Sequence, residues 1–292
     1  MTKLSQLAQA KTHRVCIFGP PKSGKTELAG KLAEHFNLLW FDLENGWDTL
    51  LKLPAEWQDR IELIRIPDTK TYPIAIETML KVIKGSPLEI CEQHGKVSCP
   101  LCKKDSGPFN RVALSEVGDN TIVVFDSGTQ LANSAMNHIT KNQDELYKAE
   151  WSDYRSQGQL MEKFLSELQQ AKYNCVFITH EAEVEMEDGR KKIVPVSGTT
   201  NFSRNTAKYF DDVVYCEVKN KKHNFASATT YANSILTGSR TDVRMEDDET
   251  PTLLRVFKPE LYPTKVTPHK PSPAQNAVKN LSALAALQGV KK

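Results

Sequence analysis

The chain has 292 residues, 39% apolar and 25% charged, with a net charge of +2; that is enough apolar content for one main core with appendages. So small a charge does not announce a nucleic-acid partner through bulk electrostatics, and any such partner must be read from local patches or from resemblance. No signal-type segment opens MTKLSQLAQAKTHR and no apolar run approaches about 18 residues, so a cytoplasmic protein without a membrane span is expected.

After an N-terminal extension over 1–12, the apolar run Val15–Phe18 reads as a buried strand, and Glu27–Ala33 continues with helical spacing over 25–36. Between them lies GPPKSGKT, Gly19–Thr26. The pattern G-x4-GK-[ST] in a strand-to-helix frame is a phosphate-binding loop. Gly19, Pro20, Pro21, Lys22, Ser23 and Gly24 form its curl, with N–H groups turned inward. The helix opened by Lys25, Thr26 and Glu27 adds its positive dipole end, Lys25 an ammonium, and Thr26 a hydroxyl ligand for Mg²⁺. A nucleoside triphosphate is the expected ligand.

Further strands are expected at Leu38–Asp42, Ile61–Ile66, Thr121–Asp126, Asn174–Thr179 and Asp212–Val218, with helices over 71–84 and 145–171. This alternation predicts an α/β fold, a mostly parallel sheet covered on both faces. Glu44 lies just past the second strand, in FDLENG, where a carboxylate can direct the water that attacks a γ-phosphate; its position alone fits an ordinary turn residue equally well.

Cys91, His94, Cys99 and Cys102 form C-x2-H-x4-C-x2-C within an insertion over 86–110, a spacing that can close four ligands around a structural Zn²⁺. Reduced thiols in a flexible insertion are the alternative. Lys96, Lys103, Lys104 and Arg111 surround this knuckle and suit a nucleic acid or a protein partner. The strand ending in Asp126 offers a carboxylate for a Mg²⁺-bound water opposite Thr26, or simply a helix cap. His180 follows the fifth strand, either as a sensor of the γ-phosphate or as a local cap. Asp188-Gly189 predicts a hairpin over Glu183–Val196. Phe225–Tyr231 and Thr252–Lys258 read as closing antiparallel strands, and the prolines from Pro259 to Pro273 as a linker to a tail ending at Lys292.

Taken together, GPPKSGKT, FDLENG, IVVFDS and FITHEAE resemble the ATPase core of RecA-type recombinases, more narrowly the short phage RecA-like (Sak-type) P-loop ATPases that assist single-strand annealing. The resemblance spans residues 13–258. It implies a RecA-like P-loop NTPase core using Mg-ATP, Glu44 activating water, and His180 sensing the γ-phosphate. It also implies a following loop, Glu181 to about Asn205, lying on single-stranded DNA, and Arg240 acting in trans within a filament or ring of like subunits. An annealing or single-strand-binding protein is an implied partner. The segment after His180 departs from this by opening acidic before turning basic at Arg190–Lys192. A nucleotide-gated replication adaptor, of the helicase-loader kind, and a small-molecule kinase are the competing readings. DNA-stimulated hydrolysis separates the first reading from both.

Overall fold

The computed structural model of the chain describes residues 12–144, 146–186, 188–227, 234–241, 245 and 251–262. Its centre is a sheet of eight strands in the order β11-β10-β1-β7-β6-β2-β3, with a short β12 also paired to β10. The strands are β1 (Arg14–Phe18), β2 (Asn37–Asp42), β3 (Ile61–Arg65), β6 (Thr121–Asp126), β7 (Asn174–Thr179), β10 (Asp212–Lys219), β11 (Lys222–Ala226) and β12 (Gly238–Ser239). Those from β10 to β3 run parallel, while β11 and β12 pair antiparallel with β10. Two hairpins stand apart from it: β4 (Leu88–Cys91) with β5 (Phe109–Val112), and β8 (Glu181–Glu185) with β9 (Lys191–Pro195).

Strand alternation decides what each face buries. Val15, Ile17, Trp40, Val124 and Val176 share one core with Leu28, Ala29 and Leu32 of α1 (Lys25–Gly30) and its 3-10 continuation Lys31–Glu34. Cys16, Phe18, Phe41, Phe125 and Phe177 enter the other core, against α2 (Ala75–Val82), α4 (Gly128–Thr140) and α5 (Trp151–Gln169). In that layer Phe41 stacks on Phe125 at 5.5 Å, and Phe125 meets Phe164 edge-on at 5.4 Å. Truncating a ring buried this deeply costs about 3–5 kcal/mol. Between β4 and β5 sits the one-turn helix α3 (Pro100–Lys104).

The register brings the strand ends level. Phe18 pairs with Thr179, Asp126 with Ile178, and Asp42 with both Asp126 and Arg65. Segments far apart in sequence therefore deliver their next residues to one edge.

Several expected elements change. The helix expected over 25–36 tightens to 3-10 after Gly30, where Leu50 and Leu53 pack so closely that a Cβ would come within 2.8 Å of Leu50. The one expected over 71–84 starts at Ala75, whose N–H is taken by Asp68. The one expected over 145–171 runs from Trp151 to Gln169, started by the reciprocal Glu150/Asp153 cap. Helix α4 was not expected at all. Thr252–Lys258, expected as an edge strand, contains the short helix Leu254–Phe257, because Leu253, Leu254 and Val256 are drawn into the core beneath α1 instead of onto the sheet edge. Phe225–Tyr231 is a strand as far as Ala226, and its end from residue 228 lies outside the described residues. Of the expected linker and tail, Pro259–Leu261 form a 3-10 turn and Tyr262 packs on the core; everything from Pro263 onward lies outside the described residues, as do residues 1–11. No helix among the described residues is long and apolar enough to cross a membrane.

Candidate nucleotide site and metal knuckle

Strands β1, β7, β6 and β2 lie side by side at about 4.8 Å spacing and set four segments in a row: the glycine-rich loop, His180, Asp126 and Glu44. The loop's shape depends on its glycines. Gly19 has φ 147° and lies against the Cys216 carbonyl, where a Cβ would stand 2.0 Å from the oxygen. Gly24, at φ 93°, hands the chain into α1, and its carbonyl takes the first helical bond from Leu28 N–H at 2.9 Å.

Lys25 is buried, its Nζ donating to the carbonyls of Gly19 (3.0 Å) and Pro20 (2.7 Å). Burial lowers its pKa; the surrounding Cys216, Asp126, Glu44 and Glu181 work in the other direction. Thr26 Oγ1 donates to Asp126 Oδ2 at 3.1 Å. The Ser23 hydroxyl is buried with no partner among the described residues. An unpartnered hydroxyl and an ammonium satisfied only by its own loop suit a polyphosphate, which supplies the acceptors both lack.

Three carboxylates converge across the gap. Asp126 is buried, and desolvation, with help from Glu44 and Asp42, pushes it up to about 7 against the pull of Thr26 and Lys25. A cation at this point removes that conflict. Asp42 is raised by burial and accepts the N–H groups of Glu44 (3.2 Å) and Gly46 (3.1 Å), which fixes the turn carrying Glu44, with Asn45 at φ 58°. Burial raises the Glu44 carboxyl too, but hydrogen bonds from His180 and Ser127 and the charges of His180 and Lys25 outweigh it and leave it below its ordinary value. Ser127 Oγ donates to Glu44 Oε1, and His180 Nε2 stands 3.4 Å from the same oxygen. Glu44 is thus held as an oriented carboxylate between Ser127 and His180.

Residues 11–243 match the AAA domain family. The chain belongs to the AAA domain family. It is a nucleotide-hydrolysing P-loop ATPase, and the family implies ATP as substrate with Mg²⁺. No curated protein matches the chain. Thr26 and Asp126 are the residues that would hold such a cation, which would supply charge neutralisation on the phosphate oxygens.

Within this AAA domain, His180 is wired to the β8–β9 hairpin. Its backbone N–H goes to Thr129 Oγ1 (2.9 Å), Thr129 contacts Thr179 (2.9 Å), Thr179 Oγ1 donates to Val196 O (2.5 Å), and Val196 N–H returns to His180 O (2.9 Å). The hairpin's basic arm is partly neutralised from within: Arg190 pairs with Asp188 at 2.5 Å and Lys191 with Glu183 at 2.7 Å. Arg240 is not brought to the loop. It pairs with Asp211 at 3.3 Å, beside Arg14, at the amino end of β10 and so at the opposite edge of the sheet.

One neighbour of the loop is absent from the sequence reading. His223 of β11 reaches the Ser23 carbonyl with Nδ1 at 2.9 Å and lies so close to Gly24 that a Cβ there would come within 2.8 Å. No motif marks it, because the contact joins residues 200 apart.

The knuckle assembles on the β4–β5 hairpin. One ligand atom each from Cys91, His94, Cys99 and Cys102 lies within 4.8 Å of all the others. His94 Nδ1 is 3.2 Å from Cys102 Sγ and 3.7 Å from Cys99 Sγ. Bond lengths of about 2.3 Å to sulfur and 2.0 Å to nitrogen give tetrahedral edges of about 3.5 Å, so the donor set can hold a metal ion with little movement. Beside the knuckle and past Glu44 opens a crevice of about 660 Å³, lined among others by Arg65, Asp68, Gln130, His180, Glu92 and Gln93.

Proposed function

We propose that this ATPase is a single-stranded-DNA-dependent recombination or annealing enzyme of the phage RecA-like (Sak-type) kind, active as a filament or ring in the cytoplasm of the infected host, with an annealing or single-strand-binding protein as a further partner. The observation that carries the reading is the hydrogen-bonded unit of Glu44, Ser127 and His180 at the end of the row begun by the phosphate loop. In this reading, Lys25 and Thr26 hold the triphosphate, Glu44 orients the attacking water, and His180 passes the state of the γ-phosphate through Thr179 and Val196 to the β8–β9 hairpin. That hairpin, with the segment to Asn205, is the surface assigned to DNA, Lys192 being on its basic arm. Arg240, on the far edge of its own subunit, reaches a phosphate only on a neighbour. Zn²⁺ fills the Cys3His set as a structural ion.

Hydrolysis measured with and without a long single-stranded polynucleotide tests this. The expected result is stimulation in the wild type. Glu44→Gln is expected to lower kcat by about 10²–10⁴-fold while still binding ATP. Unstimulated turnover favours the adaptor reading, and phosphate transfer to a small acceptor the kinase reading.

A further inference from the structure

We propose that the Cys3His knuckle is one wall of the hydrolysis crevice, and that its metal holds Glu92 and Gln93 there to confine water next to Glu44. The inference rests on the metal reading above and adds a role in catalysis to it.

Glu92 and Gln93 are the two residues between ligands Cys91 and His94, and both line the crevice that Glu44 and His180 also line. Their backbone is set by the fold around them. Cys91 N–H bonds Lys96 O at 3.1 Å, Gly95 N–H bonds Cys91 O at 2.9 Å, and Glu92 N–H bonds Pro108 O at 3.1 Å. The loop is docked onto the ATPase body at Gly95 and Val97, the latter packing against the main core beside Ile90. Thr78 Oγ1 donates to Gly95 O at 2.7 Å, and Gly95, at φ 61°, lies so tightly on Ile66 and Pro67 that a Cβ would come within 2.8 Å of the proline ring.

Apolar packing onto the main core comes from Ile90 and Val112 in the hairpin strands and from Val97 in the loop, and does not reach the Glu92–Gln93 turn or the cysteine ligands. The cysteines form a cluster of their own in which Phe109 is the additional apolar side chain packed against them. A cluster that small cannot offset the entropy of ordering its loop, so closure falls to the metal, as in other small metal-held modules. The metal ties both ends of the Glu92–Gln93 pair to Cys99 and Cys102. The Gln93 side chain also reaches Cys102 Sγ, at 3.7 Å.

The phosphate loop is built elsewhere, on β1 and α1, and the hydrogen bonds of Lys25 and Thr26 run to Gly19, Pro20 and Asp126. Glu92 and Gln93 are exposed at the crevice mouth, so removing them widens it on the side away from the phosphate loop and leaves the triphosphate cradle intact. The signature is a fall in kcat at unchanged affinity for ATP.

The test uses the full chain in three forms: wild type as purified, wild type treated with a zinc chelator and then reloaded, and the double variant Glu92→Ala with Gln93→Ala. Zinc content, affinity for a non-hydrolysable ATP analogue, and kcat are measured on each. The expected results are about one zinc per chain in the wild type and in the double variant, with kcat lowered about tenfold in the double variant and in the stripped protein. Analogue affinity is expected within twofold of wild type throughout, and reloading is expected to restore kcat to the stripped protein. A zinc-free active wild type overturns the metal reading itself. Zinc retained with kcat within twofold of wild type in the double variant overturns the wall alone, as does a parallel loss of analogue affinity.

Discussion

The nucleotide edge and the metal knuckle lie on either side of one crevice but are built in opposite ways. The edge draws on residues as far apart as Thr26, Glu44, Asp126 and His180, and its geometry is inherited from four buried parallel strands whose ends the register brings level. The knuckle takes its ligands from twelve consecutive residues, 91–102, and its cysteines form a small cluster with Phe109, apart from the main core that Ile90 and Val97 reach. A site inherited from a core tolerates loss of its functional atoms without unfolding. One whose ligating side chains share only a small cluster depends more on its ligand for local shape.

The largest expected effects follow from that contrast. Lys25→Ala removes the buried ammonium from the cradle, and turnover is expected to fall by at least about 10²-fold, with far-UV circular dichroism and Tm close to wild type. Cys99→Ser combined with Cys102→Ser is expected to do the reverse locally: zinc is lost, and proteolysis within residues 91–108 speeds up, while the sheet still melts as one transition and the ATP analogue still binds. Loss of cooperative melting in the cysteine variant breaks the comparison, since the main core then depends on the knuckle after all.

A smaller effect tests how strained the nucleotide edge is without its ligands. Asp126 keeps its proton up to about 7 in the folded chain, against about 3.9 when unfolded. As pH rises through that window the unfolded chain ionises more readily than the native one, so this residue's contribution to stability falls between about 4 and 7 and levels off above. Asp126→Asn has no such loss. In chelator, its Tm advantage over wild type is expected to be near zero at pH 4 and to reach about 2–8 °C at pH 8, although activity is lost. An advantage that does not change with pH rules out the buried charge as its source.

How far the sequence predicts each region follows the same division. The core strands were legible because buried parallel strands read as short continuous apolar runs, as at Thr121–Asp126 and Asn174–Thr179. The knuckle was legible because all its ligands are local in sequence. Helix α4 was missed because Gln130, Asn133, Ser134, Asn137 and His138 dilute its apolar stripe; the signal that marks it is Ser127 followed by Gln130, whose N–H the Ser127 hydroxyl accepts. Thr252–Lys258 was misread because a short apolar run does not say whether it will pair with a strand or pack beneath a helix. Asp42 gave no sign of its turn-setting bonds to Glu44 and Gly46, since both follow from where β2 stops.

His223 is the case no local pattern reveals, and it yields the smallest and most specific prediction. Its Nδ1–H donates to the Ser23 carbonyl, and in a trans peptide the carbonyl and the following N–H point opposite ways. Holding Ser23 O toward β11 therefore turns the Gly24 N–H toward the interior of the loop, where a phosphate oxygen is to be met. Losing one such neutral hydrogen bond costs about 1 kcal/mol, so His223→Ala is expected to weaken ATP binding about fivefold with kcat nearly unchanged. Asn places an amide donor near the position of Nδ1, so His223→Asn is expected to recover most of the affinity. If the asparagine variant binds as poorly as the alanine one, the imidazole acts by filling space over Gly24 and the hydrogen bond is incidental.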